Sequence, residues 1–430
     1  MLTKELYALF LTHPLVDIDT RKIRKGSLFF ALKGAHFNAN HFAAEALEKG
    51  AAFVITDEET DTPKAQTIRR KNALLALQQL AAEHRKHLSA KVIGITGTNG
   101  KTTTKELIAA VLSKKYRTVA TQGNLNNHIG VPLTLLSIPS TAEMALIEMG
   151  ANHPGEIAEL CRLADPDVGV ITNIGKAHLE GFGGEEGVFQ TKKALFDHVV
   201  KKKGTLFFHD QEPWLTPYRA YPNTTLYGEN ADYVSGSILR HNPTLTAAIR
   251  WGEEPPITLS SKLFGSYNLP NLLAAAAVGR FYHVPPNDIT TALSTYTPKN
   301  NRSQIEEGEK NTLIWDAYNA NPTSMRKALS SFHATASEQK AVILGDMLEL
   351  GEASEQEHQS LVETLQRNGF TKVFLVGKIF ERVSTVPYFH TFAHTQACSD
   401  YLAKHPLEGF TILIKGSRGI QLERLGEVLR

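Results

Sequence analysis

The sequence predicts an α/β protein of three domains: a small N-terminal α/β domain over residues 1–88, a central phosphate-loop domain on a parallel sheet over 89–298, and a C-terminal doubly wound, Rossmann-like domain over 299–430. Three observations lead there. At 430 residues the chain exceeds what one hydrophobic core organises, since domains run to about 100–200 residues. Short apolar runs that end in polar residues alternate with helical periodicities, the pattern of repeated βα units. A polar, hinge-like segment, Tyr296-Thr-Pro-Lys-Asn-Asn-Arg302, separates two such series.

Composition narrows the function classes. Lysine plus arginine (46) nearly cancels aspartate plus glutamate (44), so no global positive field gathers nucleic acid or anionic lipid. Positive charge for an anionic ligand must therefore be local. Cys161 and Cys398 lie far apart with no metal-ligand spacing, which fits two buried thiols in a reducing compartment. No apolar run approaches the ~20 residues of a membrane span. Leu6-Tyr-Ala-Leu-Phe-Leu11 is too short a run for a signal core, and no small-residue cleavage site follows it. A cytoplasmic protein is expected.

In the first domain, Ser27–Leu32 and Ala52–Ile55 read as strands, and 41–49 and 72–87 as helices. Its polar loops, Asp19-Thr20-Arg21 and Asn38-Ala-Asn-His41, can hold a phosphorylated ligand but are not specific.

The central domain opens on the most informative stretch. Val92, Ile93 and Ile95 form a strand pattern, and Leu107, Ile108, Val111 and Leu112 mark one face of a helix. Between them stands Gly97-Thr98-Asn99-Gly100-Lys101-Thr102, a phosphate loop at a helix N-terminus, where unpaired N–H groups and the helix dipole favour anions. Lys101 would reach the terminal phosphates, and the Thr102 hydroxyl would ligate Mg²⁺. The spacing departs from the usual motif, because Ile95 stands where Gly-x4-Gly-Lys needs glycine.

Later strands also end in polar groups. Ala145–Ile147 runs into Glu148, and Val168–Thr172 runs into Asn173 and then His178. Ligands of parallel α/β sheets bind at the carboxyl ends of strands, so Glu148 and His178 are candidates to hold Mg²⁺ beside the loop. On a single helix through 188–199, Val188, Leu195, Phe196 and Val199 form an apolar stripe with Lys192 near its centre and Lys193 at its edge. A buried lysine favours its neutral amine, which can take up CO₂ as a metal-binding carbamate; a lysine snorkelling to an anion is the other reading.

Residues 205–262 suggest antiparallel strands decorating the sheet (206–208, 245–249, 257–259). A helix follows Gly265-Ser-Tyr-Asn268, with Asn268 and Asn271 three apart on one face, suited to a base edge or to capping. Past the hinge, four strands end in polar residues: Thr312–Trp315 at Asp316, 341–344 at Gly345-Asp346, 373–376 at Gly377, and 411–414 at Lys415-Gly-Ser-Arg418.

Six stretches carry a resemblance: Gly97-Thr-Asn-Gly-Lys-Thr-Thr-Thr104, Thr121-Gln-Gly-Asn-Leu-Asn-Asn-His-Ile-Gly-Val-Pro-Leu133, Glu148-Met-Gly-Ala-Asn-His-Pro-Gly-Glu156, Thr172-Asn-Ile-Gly-Lys-Ala-His-Leu-Glu180, Tyr318-Asn-Ala-Asn-Pro322 and Leu344-Gly-Asp-Met-Leu-Glu-Leu-Gly351. With them the chain resembles the Mur ligases, the ATP-dependent amide-bond-forming enzymes of peptidoglycan synthesis, along all three domains. Within that family it is similar to the MurF branch, which joins D-alanyl-D-alanine to UDP-N-acetylmuramoyl-tripeptide.

The resemblance implies an ATP site at Gly97, Thr98, Asn99, Gly100, Lys101, Thr102 and Thr103, with Asn268 and Asn271 at adenine, Asp316 at the ribose, and Arg302 at the nucleotide or in closing contacts. It implies Mg²⁺, two ions being expected, near Thr102, Glu148 and His178, and a carbamylated Lys192 as a further ligand. Lys101, His178 and Lys192 would be the catalytic set. The first domain would hold the UDP end, with Ser27 and the Asp19-Thr20-Arg21 turn as candidates, and the third would close over the nucleotide and bind the dipeptide. A monomer is expected. Tyr267, Ala194 and Asn38–His41 depart from the usual pattern, which has histidine, glutamate and an Asp-Gly-His turn there. Within the ligases the nearest rival is MurE or a folylpolyglutamate-type enzyme; the other classes are a phosphotransferase or NTPase that shares the loop, and a catalytically silent binding or regulatory protein of the same fold.

Overall fold

The computed structural model describes every residue except Met1, Leu2, Ala177, His178 and Asn242, and the side chain of Leu179. The chain forms two compact units, one of Met1–Thr96, Lys115–Val170 and Thr191–Leu206, the other of Gly97–Lys114, Ile171–Gln190 and Phe207–Arg430.

In the first unit, a four-stranded parallel sheet runs in the order Val16–Asp17, Leu28–Phe30, Phe53–Thr56, Thr67–Arg69. Phe29 and Val54 pack with Ala43 and Ala46 of the helix Ala43–Glu48. The helix Ala73–His87 begins where the Asn72 side chain accepts from the Leu75 N–H, a cap that satisfies one orphan donor. A second set of strands lies in the order Val168–Ile171, Lys91–Thr96, Met144–Glu148, Thr118–Ala120. Lys91–Thr96 and Thr118–Ala120 both run parallel to Met144–Glu148. Residues 92–96, Met144–Glu148 and Val168–Ile171 are buried throughout, which is why the sequence shows continuous apolar runs there, whereas Thr118–Ala120 at the edge is only half-buried.

The second unit holds the strand Thr205–His209 from Phe207 onward, and Thr224–Gly228, Val234–His241, Thr244–Trp251 and Ile257–Phe264, adjacent in that order. The last three pair antiparallel, as expected for this region. Thr224–Gly228 and Val234–His241 escape a periodicity reading because neither alternates: the first is half-buried and then buried, and the second turns to solvent over 237–240.

A six-stranded sheet completes the unit, in the order Gln304–Glu307, Thr312–Trp315, Thr411–Lys415, Lys340–Gly345, Lys372–Val376, His390–Phe392. The four expected strands are its parallel centre. An antiparallel strand at one edge and a short parallel one at the other bring the total to six, and both are half-exposed, without an apolar run to announce them. Alternation along the strands serves two cores: Ile314, Val342, Leu344 and Leu413 pack with Met325 and Leu329, while Leu313, Ile343, Ile412 and Ile414 pack with Leu402 and Leu425. That is the doubly wound arrangement.

The single helix expected through 188–199 is two, Glu185–Lys192 and Ala194–Lys201. Lys193 breaks them as the second helix's N-cap, and its ammonium pairs with Asp197 at 2.7 Å in that helix's first turn. Its backbone stays in the right-handed helical region, and Val188, Lys192, Leu195, Phe196 and Val199 are all buried. Both cysteines are buried and free, and burial pushes each thiol up to about 12. Among the described residues no helix is long and apolar enough to cross a membrane.

Candidate active site

The strand Lys91–Thr96 delivers the chain to Gly97, and the helix Lys101–Leu112 starts after Gly100, its left-handed N-cap at φ 79°. A Cβ at Gly97 would sit 1.9 Å from Thr172 Oγ1, and one at Gly100 would sit 2.5 Å from Asn271 Oδ1. Both positions therefore require glycine, for close approach and for positive φ.

The segment after Val168–Ile171 clasps this loop. The Thr98 N–H donates to Asn173 O (2.9 Å) and the Asn99 N–H to Asn173 Oδ1 (3.0 Å). Asn99 O accepts from Thr172 Oγ1 (2.6 Å) and Asn173 Nδ2 (3.0 Å), and the Gly175 N–H donates to Thr98 Oγ1 (3.0 Å). Lys101 Nζ folds back over the loop and donates to Gly97 O (2.8 Å) and Thr98 O (3.0 Å). Thr102 and Thr103 are buried in the first helical turn.

In the first unit, Glu148 closes its strand at 1% exposure. Asn126 Nδ2 donates to Glu148 Oε1 (2.8 Å), and the Glu148 N–H donates to Thr121 Oγ1 (3.0 Å). The Asn-rich run 124–130 thus orients a carboxylate, and the Gly150 N–H bonds Asn126 O at 2.7 Å to complete the brace. Lys192 ends its helix at 2% exposure. Thr102 lies in the second unit, Glu148 and Lys192 in the first, and His178 is outside the described residues.

Asn268 and Asn271 are both buried and bond each other, Asn271 Nδ2 donating to Asn268 Oδ1 at 2.8 Å. Asn268 Nδ2 also donates to Phe264 O (2.7 Å) and Ser303 Oγ (3.0 Å), while Thr104 Oγ1 donates to Asn271 Oδ1 (3.1 Å). The pair joins the phosphate-loop helix to the start of the helix Leu269–Phe281. Asp316 ends its strand with Oδ2 accepting from Lys415 Nζ (2.6 Å) and Tyr267 OH (3.4 Å), and Oδ1 accepting from the Ser303 N–H (3.1 Å). Burial, and then the Asp316 charge, raise the Tyr267 phenol well above its ordinary value, so it stays a neutral donor. Arg302 stacks its guanidinium 3.6 Å above the Tyr318 ring.

In the N-terminal sheet's loops, Asp19 caps the short turn at Thr20–Lys22 and pairs with Arg21 at 2.7 Å, a hydrogen-bonded pairing that lowers its carboxyl to about 2. Ser27 is fully buried, its Oγ without a hydrogen-bond partner among the described residues.

Two further contacts bear on the loop. Asn321 Nδ2 donates to Asn99 Oδ1 at 2.8 Å, tying the Tyr-Asn-Ala-Asn-Pro run to the phosphate loop. Glu212 Oε2 accepts from the Ile174 N–H at 3.2 Å, bracing the clasping segment, and burial raises this carboxyl's pKa. Asn321 lies inside a recognisable motif. Glu212 has no sequence signal beyond its place just after a strand end.

Family models match along the chain: the Mur ligase catalytic domain over residues 14–85, the Mur ligase middle domain over 95–279, and the Mur ligase glutamate ligase domain over 301–418. The chain is 35% identical to the UDP-N-acetylmuramoyl-tripeptide–D-alanyl-D-alanine ligase of Bacillus subtilis, over 95% of this chain and 92% of that one. It is 34% identical to the Escherichia coli enzyme of the same name, over 100% and 96%. The crystal structure of MurF from Acinetobacter baumannii superposes with a TM-score of 0.86 at 30% identity, covering 96% of this chain and 92% of that one. MurF from Thermotoga maritima in complex with ADP gives 0.85 at 28% identity, covering 97% of each. With its three-domain α/β fold, the chain belongs to the Mur ligase family.

Proposed function

We propose that this chain is an ATP-dependent ligase that forms the amide bond between UDP-N-acetylmuramoyl-tripeptide and D-alanyl-D-alanine in peptidoglycan precursor synthesis. The observation that carries the reading is the phosphate loop: glycines held open by Thr172 and Asn173, with the Lys101 ammonium folded across them at a helix N-terminus. The names of the full-length relatives support the choice of substrates.

A carboxylate does not condense with an amine in water because its oxygen is a poor leaving group. In the proposed reaction the tripeptide's terminal carboxylate attacks the γ-phosphate of ATP, the bond to ADP breaks, and an acyl phosphate forms. The dipeptide's amine then attacks the acyl carbon, phosphate leaves with its electron pair, and the amine's proton is lost. Positioning and charge stabilisation dominate such a transfer. Lys101 and the N–H groups of residues 100–102 would hold the phosphates, Asn268 and Asn271 would shape the adenine end, and Asp316 and Arg302 would meet the ribose and the closing nucleotide.

Hard oxygen donors suit Mg²⁺, which usually binds through one or two protein oxygens together with substrate phosphates. The Thr102 hydroxyl and the buried Glu148 carboxylate, oriented by Asn126, would each be an oxygen donor of that kind, and His178 and a carbamylated Lys192 would be the further ligands. When bound, the metal would neutralise charge on the phosphate oxygens. Lys192, at 2% exposure, is the candidate for that carbamate. The reading places the enzyme in the cytoplasm as a monomer.

ADP release is the test. It should require the UDP-linked tripeptide and rise with D-alanyl-D-alanine, and not with glutamate; release independent of any amine substrate would identify an NTPase instead. Lys192→Ala should be inactive, and partly restored by small carboxylic acids if a carbamate is the missing group.

A further inference from the structure

At the carboxyl end of the C-terminal sheet, two guanidinium groups converge on one tyrosine. Arg302 lies 3.6 Å and Arg418 5.3 Å from the Tyr318 ring centroid, and Arg418 Nη1 donates to Tyr318 OH at 3.4 Å. The electron-rich Tyr318 ring offsets part of their mutual repulsion, and together the two groups make a local positive field that attracts anions. Among the described residues neither arginine has a carboxylate within ion-pair distance, whereas the neighbouring Lys415 is paired with Asp316. Arg302 is partly buried, and its Nε has no hydrogen-bond partner among those residues. Arg418 is exposed just past the end of the strand Thr411–Lys415, where ligands of such sheets bind.

Beside Arg418 stands an exposed apolar side chain. Leu348 is 42% exposed, and it is not there by looseness. Its N–H donates to Ser417 Oγ (3.0 Å), the Ser417 N–H donates to Asp346 O (3.2 Å), and a Cβ at Gly419 would meet Leu348 Cδ1 at 2.9 Å. A cation and a fixed aliphatic group therefore sit together on adjoining strand tips, held by buried Ser417 and Asp346.

We propose that Arg418 anchors the carboxylate of the incoming D-alanyl-D-alanine and that Leu348 meets one of its methyl groups. The assignment rests on the ligase reading above and adds the residues that select the second substrate. The triphosphate already has Lys101 and a helix N-terminus, and the tripeptide carboxylate reacts at the γ-phosphate. The dipeptide's own carboxylate takes no part in the bond made and lies at the far end of the molecule from its attacking amine. It needs a cation away from the phosphate loop, next to apolar surface for small side chains.

The test pairs a variant with a substrate analogue. Steady-state ADP release is measured for the wild type, Arg418→Ala and Arg418→Lys, each with D-alanyl-D-alanine and with its C-terminal amide. In the wild type the amide should lose about 10- to 100-fold in kcat/KM, the worth of a charge-assisted hydrogen bond. Arg418→Ala should lose a similar factor with the dipeptide through KM, discriminate little between dipeptide and amide, and keep its KM values for ATP and the UDP-linked tripeptide. Arg418→Lys should recover part of the discrimination. Equal discrimination by wild type and Arg418→Ala, or a rise confined to the KM of ATP or of the UDP-linked tripeptide, would overturn the assignment and leave the ligase reading standing. No dipeptide-dependent ADP release from the wild type would overturn both.

Discussion

In the phosphate loop the polypeptide is held by neutral groups: Thr172 and Asn173 clasp Thr98 and Asn99, Asn271 backs Gly100, and Asn321 reaches Asn99. At the strand tips of the C-terminal sheet, charges do the holding. Lys415 neutralises Asp316, and the Asp346 carboxylate accepts the Ile379 and Phe380 N–H groups at 3.0 Å each, at the start of the helix Lys378–Val383. The difference follows from what each region must receive. Carboxylates within a loop that binds a polyanion would repel it, and among this loop's lysine contacts are two backbone carbonyl oxygens, Gly97 O and Thr98 O. A wall that positions loops around a substrate can satisfy its carboxylates internally, while Arg302 and Arg418 have no carboxylate within ion-pair distance among the described residues.

That contrast can be broken by removing charge from the first region. Lys101→Ala should cost at least about 10²–10³ in turnover, the scale of losing a preorganised charge, with thermal stability little changed. Near-normal ADP release would mean that the lysine only braces Gly97 O and Thr98 O. Gly97→Ala should strike the same loop sterically. Its methyl would collide with Thr172 Oγ1 at φ 147°, so urea unfolding should register a loss of about 1–3 kcal/mol or more together with loss of activity.

Neutral restraint itself is tested by Asn271→Ala. The change strips the partner from Thr104 and Asn268 inside the protein and should cost about 1–3 kcal/mol in denaturant unfolding. A rise in the KM for ATP without that stability loss would show the asparagine serving adenine alone. The smallest expected effect lies in the charged region. Burial holds the His358 imidazole below its ordinary value, outweighing its bond to Ser354 O and the pull of Asp346 and Glu357, and its Nε2 accepts the Met347 N–H at 2.9 Å. A histidine kept neutral by folding contributes stability that is fully present above its unfolded value of about 6.5 and is lost as the pH falls through its folded value. Unfolding free energy should therefore fall between about pH 7.5 and pH 5, and His358→Gln should flatten part of that slope. An unchanged slope would place the acid sensitivity in other groups.

Much of this was legible in the chain itself. The strand before Gly97, the helix after Lys101, the inward-facing Lys192 and the four central strands of the C-terminal sheet all follow from periodicity, and the structure contains each of them. The break at Lys193 was not legible, because an αR residue leaves the apolar phase intact. Nor were Val234–His241 and the two edge strands of the C-terminal sheet, whose exposed side chains carry no alternation. Asn268 and Asn271 appeared as donors for a base; only their surroundings reveal that they bond each other, Thr104 and Ser303.

By itself, then, the sequence determined the local elements: where strands stop, where a glycine-lysine turn meets a helix, and which family's motifs recur in order. Those signals depend on residues a few positions apart. What only the tertiary structure decided is which groups hold that turn in shape, since its bonds to Asn173, Asn271 and Asn321 span 74, 167 and 222 residues. Polar contacts of that reach depend on how sheets and helices stack, and a linear pattern of apolar and polar residues leaves no trace of them.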